Sequence, residues 1–597
     1  MWSLYNQNDE YLPPQTFSNG KTQETVTQEI LEAIKQGHNI IFLKGTPGTG
    51  KSAIALNVAK ELGRTSIVVP VKYLQKQYEH DYTKKLYLKK ANGEKLNIAM
   101  MTGRNNHPCL YQTGLQADNP TLPCIIEIKK ENAEQLHRYV EENEHVIADD
   151  YQELKDYTRI AVAGACPYWT PILPADYAEK LPLKGTRTTY EAVNNKTMTI
   201  IQRKPGCSYY QQFLAYKNAD VIIFNSKKYE LENMMNRKPK TELEIIDEGD
   251  EFLDSLSTEK KININHFLGR VKRTQDHAKD EDEKAVLQDL YNLGINLQKK
   301  NSGSQIMQLE NNNAQDLINF FLRNPYLGEY EELENYYEIA ISYEGYEKTT
   351  YVTYSKNHKE ETIIHLVNID LKRKLQEYTN KNKTFLFMSG TLHSKKVLQD
   401  IFGINEYCLI EAETKEQGTI KKKFTGKEKN FRYKDFQEGK VTREHYLQAL
   451  EASVTLAPRP VLIHVNSFSD LPTAEEQAHY ELNLMTADKL QQLQEEGKQG
   501  QLMQLFKNKQ IDVLYSTKCT RGVDFPGDQC NSIIYTKYPY PSMHDIFWKV
   551  LKQEQPQAYL EFYFDKAARE YKQRLYRGLR SKNDTITILS PDIKVLG

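Results

Sequence analysis

A glycine-rich segment of the sequence combines the residue types that bind a phosphate chain. Its glycines allow backbone N–H groups to turn towards phosphate oxygens, and a helix beginning at its end would add positive potential. A lysine at this spacing reaches the β- and γ-phosphates of a nucleoside triphosphate, and the serine after it binds Mg²⁺. A chance glycine turn is the alternative. We predict nucleotide contacts, with a catalytic role for the lysine, for Gly45, Thr46, Pro47, Gly48, Thr49, Gly50, Lys51 and Ser52.

Two adjacent carboxylates, Asp247 and Glu248, offer the complementary chemistry of triphosphate hydrolysis. They follow the short apolar run 243–246, and the C-terminal end of a buried strand is where an α/β sheet places its reactive groups. Asp247 is predicted to hold Mg²⁺ together with Ser52, and Glu248 to orient or deprotonate the attacking water. A solvated acidic turn is the alternative, and the phosphate-binding segment upstream argues against it.

Both groups of residues need a parallel sheet that presents them at one edge. The apolar run 39–43 fits a buried strand before the glycine-rich segment, and the apolar spacing within 53–62 fits a helix after it. This strand–loop–helix order predicts an α/β domain in which the loop and the acidic pair lie at the C-terminal ends of strands.

Length and composition limit the class of protein. At roughly 150 residues per domain, a chain of 597 residues suggests about four structural units. The net charge of −1 excludes a wholly basic nucleic-acid coat but allows a basic groove. There is no run of about 18 apolar residues, and residues 1–15 lack the pattern of a signal peptide. We therefore expect no membrane association and a cytoplasmic or nucleoid-associated protein that is not secreted.

Six further segments occur in the order expected of a nucleic-acid motor. Together with the phosphate-binding segment and the acidic pair, they resemble the superfamily 2 helicases and, within them, the XPD/DinG group. The resemblance spans nearly the whole chain and includes a Ser-Gly-Thr motif at 389–391 and a Gly-x-Asp-Phe-Pro-Gly core at 522–527. The six segments are 68–77, 387–392, 462–468, 516–527, 538–541 and 573–580.

The last of these segments supplies two arginines three residues apart, Arg577 and Arg580, which would share one face of a helix. The resemblance implies that both reach ATP across a cleft, where a guanidinium neutralises charge on the transferred phosphoryl group. It also implies a catalytic role for Gln573 and a nucleotide contact for Asp524. Three departures from the group could alter how tightly hydrolysis is coupled to movement: Asp250 replaces His, Tyr576 replaces Gly, and Arg521 replaces an acidic residue.

Four of the seven cysteines lie between the segment 68–77 and the acidic pair: Cys109, Cys124, Cys166 and Cys207. Four thiolates suit an iron–sulfur cluster or a tetrahedral zinc ion, and four unrelated buried cysteines are the alternative. The paired C-x-x-C spacing of a zinc ribbon is absent. In the XPD/DinG group four cysteines at this place hold a 4Fe–4S cluster, and the flanking residues here resemble its surroundings. The resemblance therefore implies a 4Fe–4S cofactor in addition to ATP and Mg²⁺.

The resemblance also predicts an α/β fold with two RecA-like parallel-sheet motor domains, the first interrupted by an iron–sulfur cluster domain and a mainly helical arch domain. An apolar stripe within 286–297 favours at least one helix in the arch, which is otherwise carried over by position alone. The predicted boundaries are 1–103, 216–254 and 376–394 for the first motor, 104–215 for the cluster domain, 255–375 for the arch and 395–597 for the second motor.

The function implied is that of an ATP hydrolase and DNA helicase, which unwinds duplex DNA by moving 5′ to 3′ along one strand. Single-stranded and forked DNA are the implied partners, a monomer is expected, and DNA repair is one compatible pathway among several. Three alternatives stay open: a nucleic-acid-stimulated translocase that remodels protein–DNA complexes without unwinding, an RNA helicase, and a binding module with a decayed motor. The intact Lys51, Asp247, Glu248 and Arg577 argue against decay.

Overall fold

The computed structural model describes residues 2–278, 281–300, 305–330, 332–357, 359–415, 418–517 and 523–597. Its two largest sheets are parallel, and two smaller antiparallel sheets lie in the segments that interrupt the first of them in sequence. Residues 518–522, which include Arg521 and the first glycine of the predicted Gly-x-Asp-Phe-Pro-Gly core, lie outside the described residues. Among the described residues, no helix has the length and apolar character that crossing a bilayer requires.

The first parallel sheet has seven strands, and most of their side chains are buried apolar residues. Burial on both faces explains why these strands read as continuous apolar runs in the sequence. The predicted strands at 39–43 and 243–246 are present, each displaced or extended by one residue. In spatial order the strands are Cys408–Glu411, Ile40–Lys44, Phe385–Ser389, Leu243–Asp247, Thr65–Val69, Val221–Asn225 and Ile98–Met101.

Helices cover both faces of this sheet. The N-terminal strand Tyr5–Asn6 pairs with Leu86–Tyr87 outside it. Because parallel strands need crossover connections, most of the helices lie between consecutive strands of the sheet. The helices around this sheet are Gln23–Lys35, Lys51–Leu62, Lys72–Glu79, Ser226–Met234, Gly249–Asp254, Leu371–Thr379 and Lys395–Asp400.

The predicted start of the second motor at residue 395 is wrong. The strand Cys408–Glu411 pairs with Ile40–Lys44, with Ile410 in register with Leu43, so it belongs to the first sheet. Ile410 packs into the core of that sheet, and its burial fixes the strand there. The sequence carries no motif between 392 and 462, so nothing in the motif pattern marked this boundary.

The second parallel sheet has five strands in the order Thr419–Lys422, Thr585–Leu589, Ser532–Tyr535, Val461–His464 and Val513–Ser516. Two of its helices, Ile546–Glu554 and Pro556–Leu575, form a hairpin against the first motor. The other helices are Tyr433–Gln437, Arg443–Leu456, Ala474–His479, Ala487–Glu495, Gln499–Lys507 and Ile593–Leu596. The two parallel sheets confirm the predicted fold class.

The first interrupting segment, which holds the four cysteines, has little regular structure. Its antiparallel sheet runs in the order Ile172–Pro174, Lys196–Gln202 and Thr186–Ala192. Short helices make up most of the remainder: Ala133–Glu141, Arg159–Ala163, Ala175–Lys180, Ser208–Gln211 and Ala215–Asn218.

The second interrupting segment is less uniformly helical than predicted. Its four helices, Ile264–His277, Glu281–Lys300, Ala314–Arg323 and Glu334–Tyr343, share one apolar core, and Leu287, Leu290 and Leu297 of the predicted stripe are buried in it. A four-stranded antiparallel sheet completes this segment. Its two longest strands are rich in β-branched and aromatic residues, which favour strands. Its strands are Thr258–Asn263, Thr362–Asn368, Thr350–Lys356 and Met307–Gln308.

Candidate nucleotide cleft

The predicted phosphate-binding segment forms a tight loop between the strand Ile40–Lys44 and the helix Lys51–Leu62. Gly48 and Gly50 have φ angles of 83° and 69°, a left-handed conformation that favours glycine. Lys51 Nζ donates to the Gly45 carbonyl oxygen at 2.7 Å, so the ammonium group lies inside the loop. Burial lowers the pKa of Lys51, and the nearby carboxylates oppose that shift. The loop therefore holds a desolvated cation where a phosphate chain would bind.

The two predicted carboxylates lie beside this loop, at the end of the strand Leu243–Asp247. The Tyr78 hydroxyl donates to Asp247 Oδ2 at 3.0 Å and is also close to the Ser52 hydroxyl, so both predicted Mg²⁺ ligands adjoin one tyrosine. Burial, reinforced by the charge of Glu248, raises the pKa of Asp247 to about 6. Glu248 has a φ angle of 53°, a strained conformation for a non-glycine residue that occurs often at functional sites.

Asp250, the residue at the position of the usual histidine, is fully buried and joins the acidic pair to the Ser-Gly-Thr motif. Its carboxylate accepts hydrogen bonds from Ser389 Oγ at 2.7 Å and from Thr391 Oγ1 at 2.8 Å. Gln573, from the second motor, donates to Thr391 Oγ1 at 2.9 Å and to Glu248 Oε2 at 3.5 Å. The predicted catalytic glutamine thus contacts both the Ser-Gly-Thr motif and the predicted water-activating carboxylate.

The two predicted arginines point to a carboxylate of their own motor. Arg577 Nη1 lies 3.1 Å from Asp524 Oδ1, and the Arg580 guanidinium also pairs with Asp524. Burial lowers the pKa of Arg580 to about 10, although Glu248 across the cleft opposes this shift. A Cβ placed on Gly48 would lie 2.9 Å from the Arg580 carbonyl oxygen. The phosphate-binding loop and this arginine segment are therefore in direct contact.

Tyr576, at the position of the usual glycine, fills part of the same cleft. Its side chain is buried, and a Cβ placed on Gly390 of the Ser-Gly-Thr motif would lie 3.6 Å from its ring. The Gly45 carbonyl oxygen would be 3.7 Å from the same Cβ. The tyrosine ring therefore packs against the glycine of the Ser-Gly-Thr motif, close to the phosphate-binding loop.

One residue of the cleft was missed by sequence reasoning. Gln23, at the start of the helix Gln23–Lys35, is buried and donates from Nε2 to the Thr49 carbonyl oxygen at 3.0 Å. Its Oε1 accepts a hydrogen bond from the Gln15 backbone N–H at 2.9 Å. The two bonds fasten the phosphate-binding loop to the N-terminal segment. A lone glutamine 22 residues before the loop gave no distinguishing sequence signal.

The segment 68–77, the first of the six that resemble helicase segments, continues into the helix Lys72–Glu79, which borders a cavity of about 400 Å³. Lys72 and Lys76 line this cavity from the first motor, and His107 and Gln212 line it from the segment that holds the cysteines. Glu79 also lines the cavity. The exposed lysines can contact the phosphates of a nucleic-acid strand without reading its bases.

The four predicted cysteine ligands are free thiols that approach one another only in part. The Cys166 thiol lowers the pKa of Cys124 to about 6, and burial together with the charges of Cys124 and Cys109 raises the pKa of Cys207. Among the described residues, no group of three or more His, Cys, Asp or Glu side chains is arranged as a metal site. The donor chemistry fits an iron–sulfur cluster or zinc, and the cofactor remains a prediction. Of the other cysteines, Cys519 lies outside the described residues.

Two family descriptions match parts of the chain. Residues 450–596 match the helicase C-terminal domain, and residues 17–160 match the res subunit of type III restriction enzymes. The first match covers most of the second parallel sheet and the arginine segment, and the second covers the phosphate-binding loop. No curated protein sequence matches this chain.

Solved structures match nearly the whole chain. A structure of an XPD helicase shares 15% identity and a TM-score of 0.54, covering 96% of this chain and 96% of that one. An XPD in its apo form shares 12% identity and a TM-score of 0.52, covering 95% and 96%. Xpd4 of S. tokodaii shares 13% identity and a TM-score of 0.52, covering 96% and 95%.

The two parallel sheets, the cleft between them and the helicase C-terminal match define a protein with the two-motor fold of a helicase. More particularly, the chain has the fold of the XPD helicases. The resemblance to the XPD/DinG group that the motifs indicated is thereby confirmed at the level of the fold.

Proposed function

We propose that the chain is an ATP-dependent helicase that moves along one strand of DNA and separates it from its complement. The observation that carries this proposal is the contact of Gln573 with both Thr391 and Glu248 across the cleft. A change in the cleft that alters these contacts would move one parallel sheet relative to the other. Hydrolysis of ATP between the two motors can therefore be converted into movement of whatever strand both motors hold.

The proposed chemistry uses groups that already surround an open phosphate-binding loop. Lys51 exchanges its bond with the Gly45 carbonyl for one with the β- and γ-phosphates. Ser52 and Asp247 would hold Mg²⁺, which stabilises negative charge on the transferred phosphoryl group. Glu248 orients the attacking water and accepts its proton.

The arginines complete the site when ATP binds. Arg577 and Arg580 exchange Asp524 for oxygens of the γ-phosphate, where a planar guanidinium neutralises the charge that develops in the transition state. Asp524 then stays beside the nucleotide as a contact for its polar groups. On release of phosphate, Asp524 takes back both arginines.

The proposed nucleic-acid partner is single-stranded or forked DNA. We propose that the chain binds it as a monomer and moves 5′ to 3′ along one strand. The cavity lined by Lys72 and Lys76 supports a grip on phosphates, which gives no preference for base sequence. The proposed division into motors, cluster domain and arch places this cavity where the cysteine-bearing segment meets the first motor. That segment would then lie close to the fork.

We further propose that Cys109, Cys124, Cys166 and Cys207 hold a 4Fe–4S cluster. All four are free thiols, and Cys166 and Cys207 are buried in one apolar core against which Cys124 packs. Thiolates are the usual ligands of such clusters. The cluster would stabilise a segment in which regular structure is sparse.

The proposal is tested by strand displacement with ATP and Mg²⁺, using anaerobically purified protein and duplexes tailed on the 5′ or the 3′ side. Displacement from the 5′ tail alone is expected. Displacement from the 3′ tail alone would keep the helicase and overturn the direction. Nucleic-acid-stimulated ATPase without displacement would identify a translocase, and competition between DNA and RNA strands separates a DNA helicase from an RNA helicase.

The assignment of the water-activating residue is tested in the same assay. Glu248→Gln should nearly abolish ATP hydrolysis while ATP binding is kept, because the amide cannot accept the proton. Glu242→Gln, an exposed carboxylate just before the same strand, is the matched control and should hydrolyse ATP normally. Normal turnover by Glu248→Gln would overturn the assignment.

A further inference from the structure

One face of the helix Pro556–Leu575 in the second motor is a row of contacts with the first motor. The row has a spacing of four residues, which places its members on one side of a helix. Glu561 pairs with Lys396 at 3.0 Å, and Asp565 accepts from the Ser394 backbone N–H at 2.8 Å. One turn further on, Arg569 pairs with two carboxylates of the first motor. Gln573 contacts Thr391 at 2.9 Å. The sequence resemblance covers only the last of these four positions.

Arg569 is the buried charge of this row. Its side chain is 5% exposed, and its two terminal nitrogens each lie 3.0 Å from an oxygen of Asp254 in the first motor. Its Nη1 also lies 3.4 Å from Asp250, and its Nε lies 2.7 Å from Asp565 of its own helix. A guanidinium is suited to this place because its planar donors can serve several carboxylates at once.

The contacts lead from Arg569 to the proposed hydrolytic site in two short steps. Asp250, which Arg569 contacts, accepts hydrogen bonds from Ser389 and Thr391. Thr391 in turn accepts from Gln573, which lies one helical turn after Arg569 and reaches Glu248. Moving Arg569 would therefore disturb Gln573 both through their shared helix and through Asp250.

We propose that Arg569 is a positioning residue for the ATPase site, which holds Gln573 and the Ser389–Thr391 segment against Glu248 by way of Asp250 and Asp254. This inference rests on the proposed ATPase, since Arg569 itself touches no reacting group. Asp250, which replaces the usual histidine, suits this position. Its carboxylate can pair with the Arg569 guanidinium and accept from the Ser389 and Thr391 hydroxyls at the same time. Arg569 reaches Asp250 and Asp254 only while the two motors are in contact, so these ion pairs belong to the closed arrangement of the cleft.

The matched control for Arg569 is Arg574, a buried arginine of the same helix. Among the described residues, its side chain donates to Glu570 at 2.9 Å and to Asn466 at 3.3 Å, and both partners belong to the second motor. Arg569→Gln and Arg574→Gln thus remove the same charge from the same helix, but only the first removes a contact between motors. Arg569→Lys keeps the charge and loses the forked geometry.

Steady-state kinetics with single-stranded DNA should separate these variants. Arg569→Gln is expected to lower kcat at least tenfold with the KM for ATP changed less than about threefold, because ATP contacts are kept while Gln573 is displaced. Arg569→Lys should recover part of kcat, and Arg574→Gln should keep most of it. Asp250→Asn combined with Arg569→Gln should lose little more than Arg569→Gln alone, since both act through one contact. Equal losses in Arg569→Gln and Arg574→Gln would overturn the proposal.

Amide hydrogen exchange without nucleotide tests the contact independently of hydrolysis. Arg569→Gln should speed exchange in the helices Gly249–Asp254 and Lys395–Asp400 of the first motor, whereas Arg574→Gln should not. Unchanged exchange in Arg569→Gln would overturn the inference whether or not the protein hydrolyses ATP. A wild-type protein without ATPase activity, together with the expected exchange pattern, would instead overturn the proposed function and leave the contact between motors standing.

Discussion

Asp524 pairs with Arg577 within the second motor, with Asp524 Oδ1 3.1 Å from Arg577 Nη1. The same carboxylate pairs with Arg580, so one acidic side chain neutralises both arginines that the sequence assigns to the phosphoryl group. This pairing offsets the cost of burying the two guanidinium groups. The arginines therefore have two alternative partners, Asp524 and the γ-phosphate.

The first prediction concerns this exchange of partners. Arg577→Ala should lower kcat for ATP hydrolysis by on the order of 10³-fold, the usual contribution of an arginine that neutralises a transferred phosphoryl group. Arg577→Lys should recover little, because a point charge cannot bridge Asp524 and Gln573 as the guanidinium does. Steady-state ATPase kinetics measure both effects. Wild-type kcat in Arg577→Ala would show that this arginine only maintains the second motor.

The residues that the sequence placed well are those that belong to local patterns. The phosphate-binding loop is encoded within eight consecutive residues, and the acidic pair follows its strand directly, so the local backbone positions both. Two strands of the first parallel sheet followed from buried apolar runs, and the second sheet followed from the resemblance to the helicase group.

The residues that the sequence did not place depend on contacts between distant segments. Gln23 reaches Thr49 only because the N-terminal helix packs against the loop. The partners of Arg569, and the membership of Cys408–Glu411 in the first sheet, likewise join segments that are far apart in the chain. No local periodicity carries such information.

The second prediction concerns the missed residue Gln23. Gln23→Ala should raise the KM for ATP about tenfold, because the Thr49 carbonyl loses its donor and the loop is held less firmly; an unsatisfied buried group costs about 1–3 kcal/mol. The expected change in kcat is smaller. Equilibrium binding of a fluorescent ATP analogue measures the effect directly. Gln28→Ala, on the exposed side of the same helix, is the control and should bind like the wild type.

The third prediction concerns the stability of the fold against acid. Burial lowers the pKa of His393 and of His464 below the ordinary value of 6.5. The unfolded chain therefore binds protons at both imidazoles below about pH 6.5 while the folded protein does not, so the free energy of unfolding falls as the pH drops. Urea unfolding between about pH 7 and about pH 5.5 should show this loss. His393→Asn should make the loss smaller, and His38→Asn, an exposed control, should leave it unchanged.

The fourth prediction concerns the cysteines. Anaerobically purified protein should contain iron and acid-labile sulfide, and Cys166→Ser should lose most of both, because a hydroxyl is a poor ligand for iron in such clusters. Cys408→Ser, in the first parallel sheet, is the matched control and should keep the metal content of the wild type. Elemental analysis measures iron and zinc together. Zinc in place of iron would show that the four cysteines hold zinc. The absence of both metals would overturn the proposed metal site.

The fifth prediction concerns the contact between the phosphate-binding loop and the arginine segment. Gly48→Ala should lower the ATPase rate at least tenfold, because its Cβ would lie 2.9 Å from the Arg580 carbonyl oxygen and would force the two motors apart at the nucleotide. Alanine in a left-handed conformation also costs about 1–2 kcal/mol, so loss of stability alone must be separated from the clash.

Gly63→Ala provides that separation. Gly63 ends the helix that follows the loop and has a φ angle of 93°, but a Cβ there meets no atom within 4 Å. Gly63→Ala should lose at least as much stability in urea unfolding as Gly48→Ala, because the Gly63 backbone, with φ 93° and ψ −139°, lies in a region that is almost confined to glycine. Only Gly48→Ala should lose ATPase activity. Equal activities in the two variants would mean that the motors need not come as close at Arg580 during hydrolysis as they do in this structure. A selective loss in Gly48→Ala would establish that hydrolysis requires the closed contact between Gly48 and Arg580.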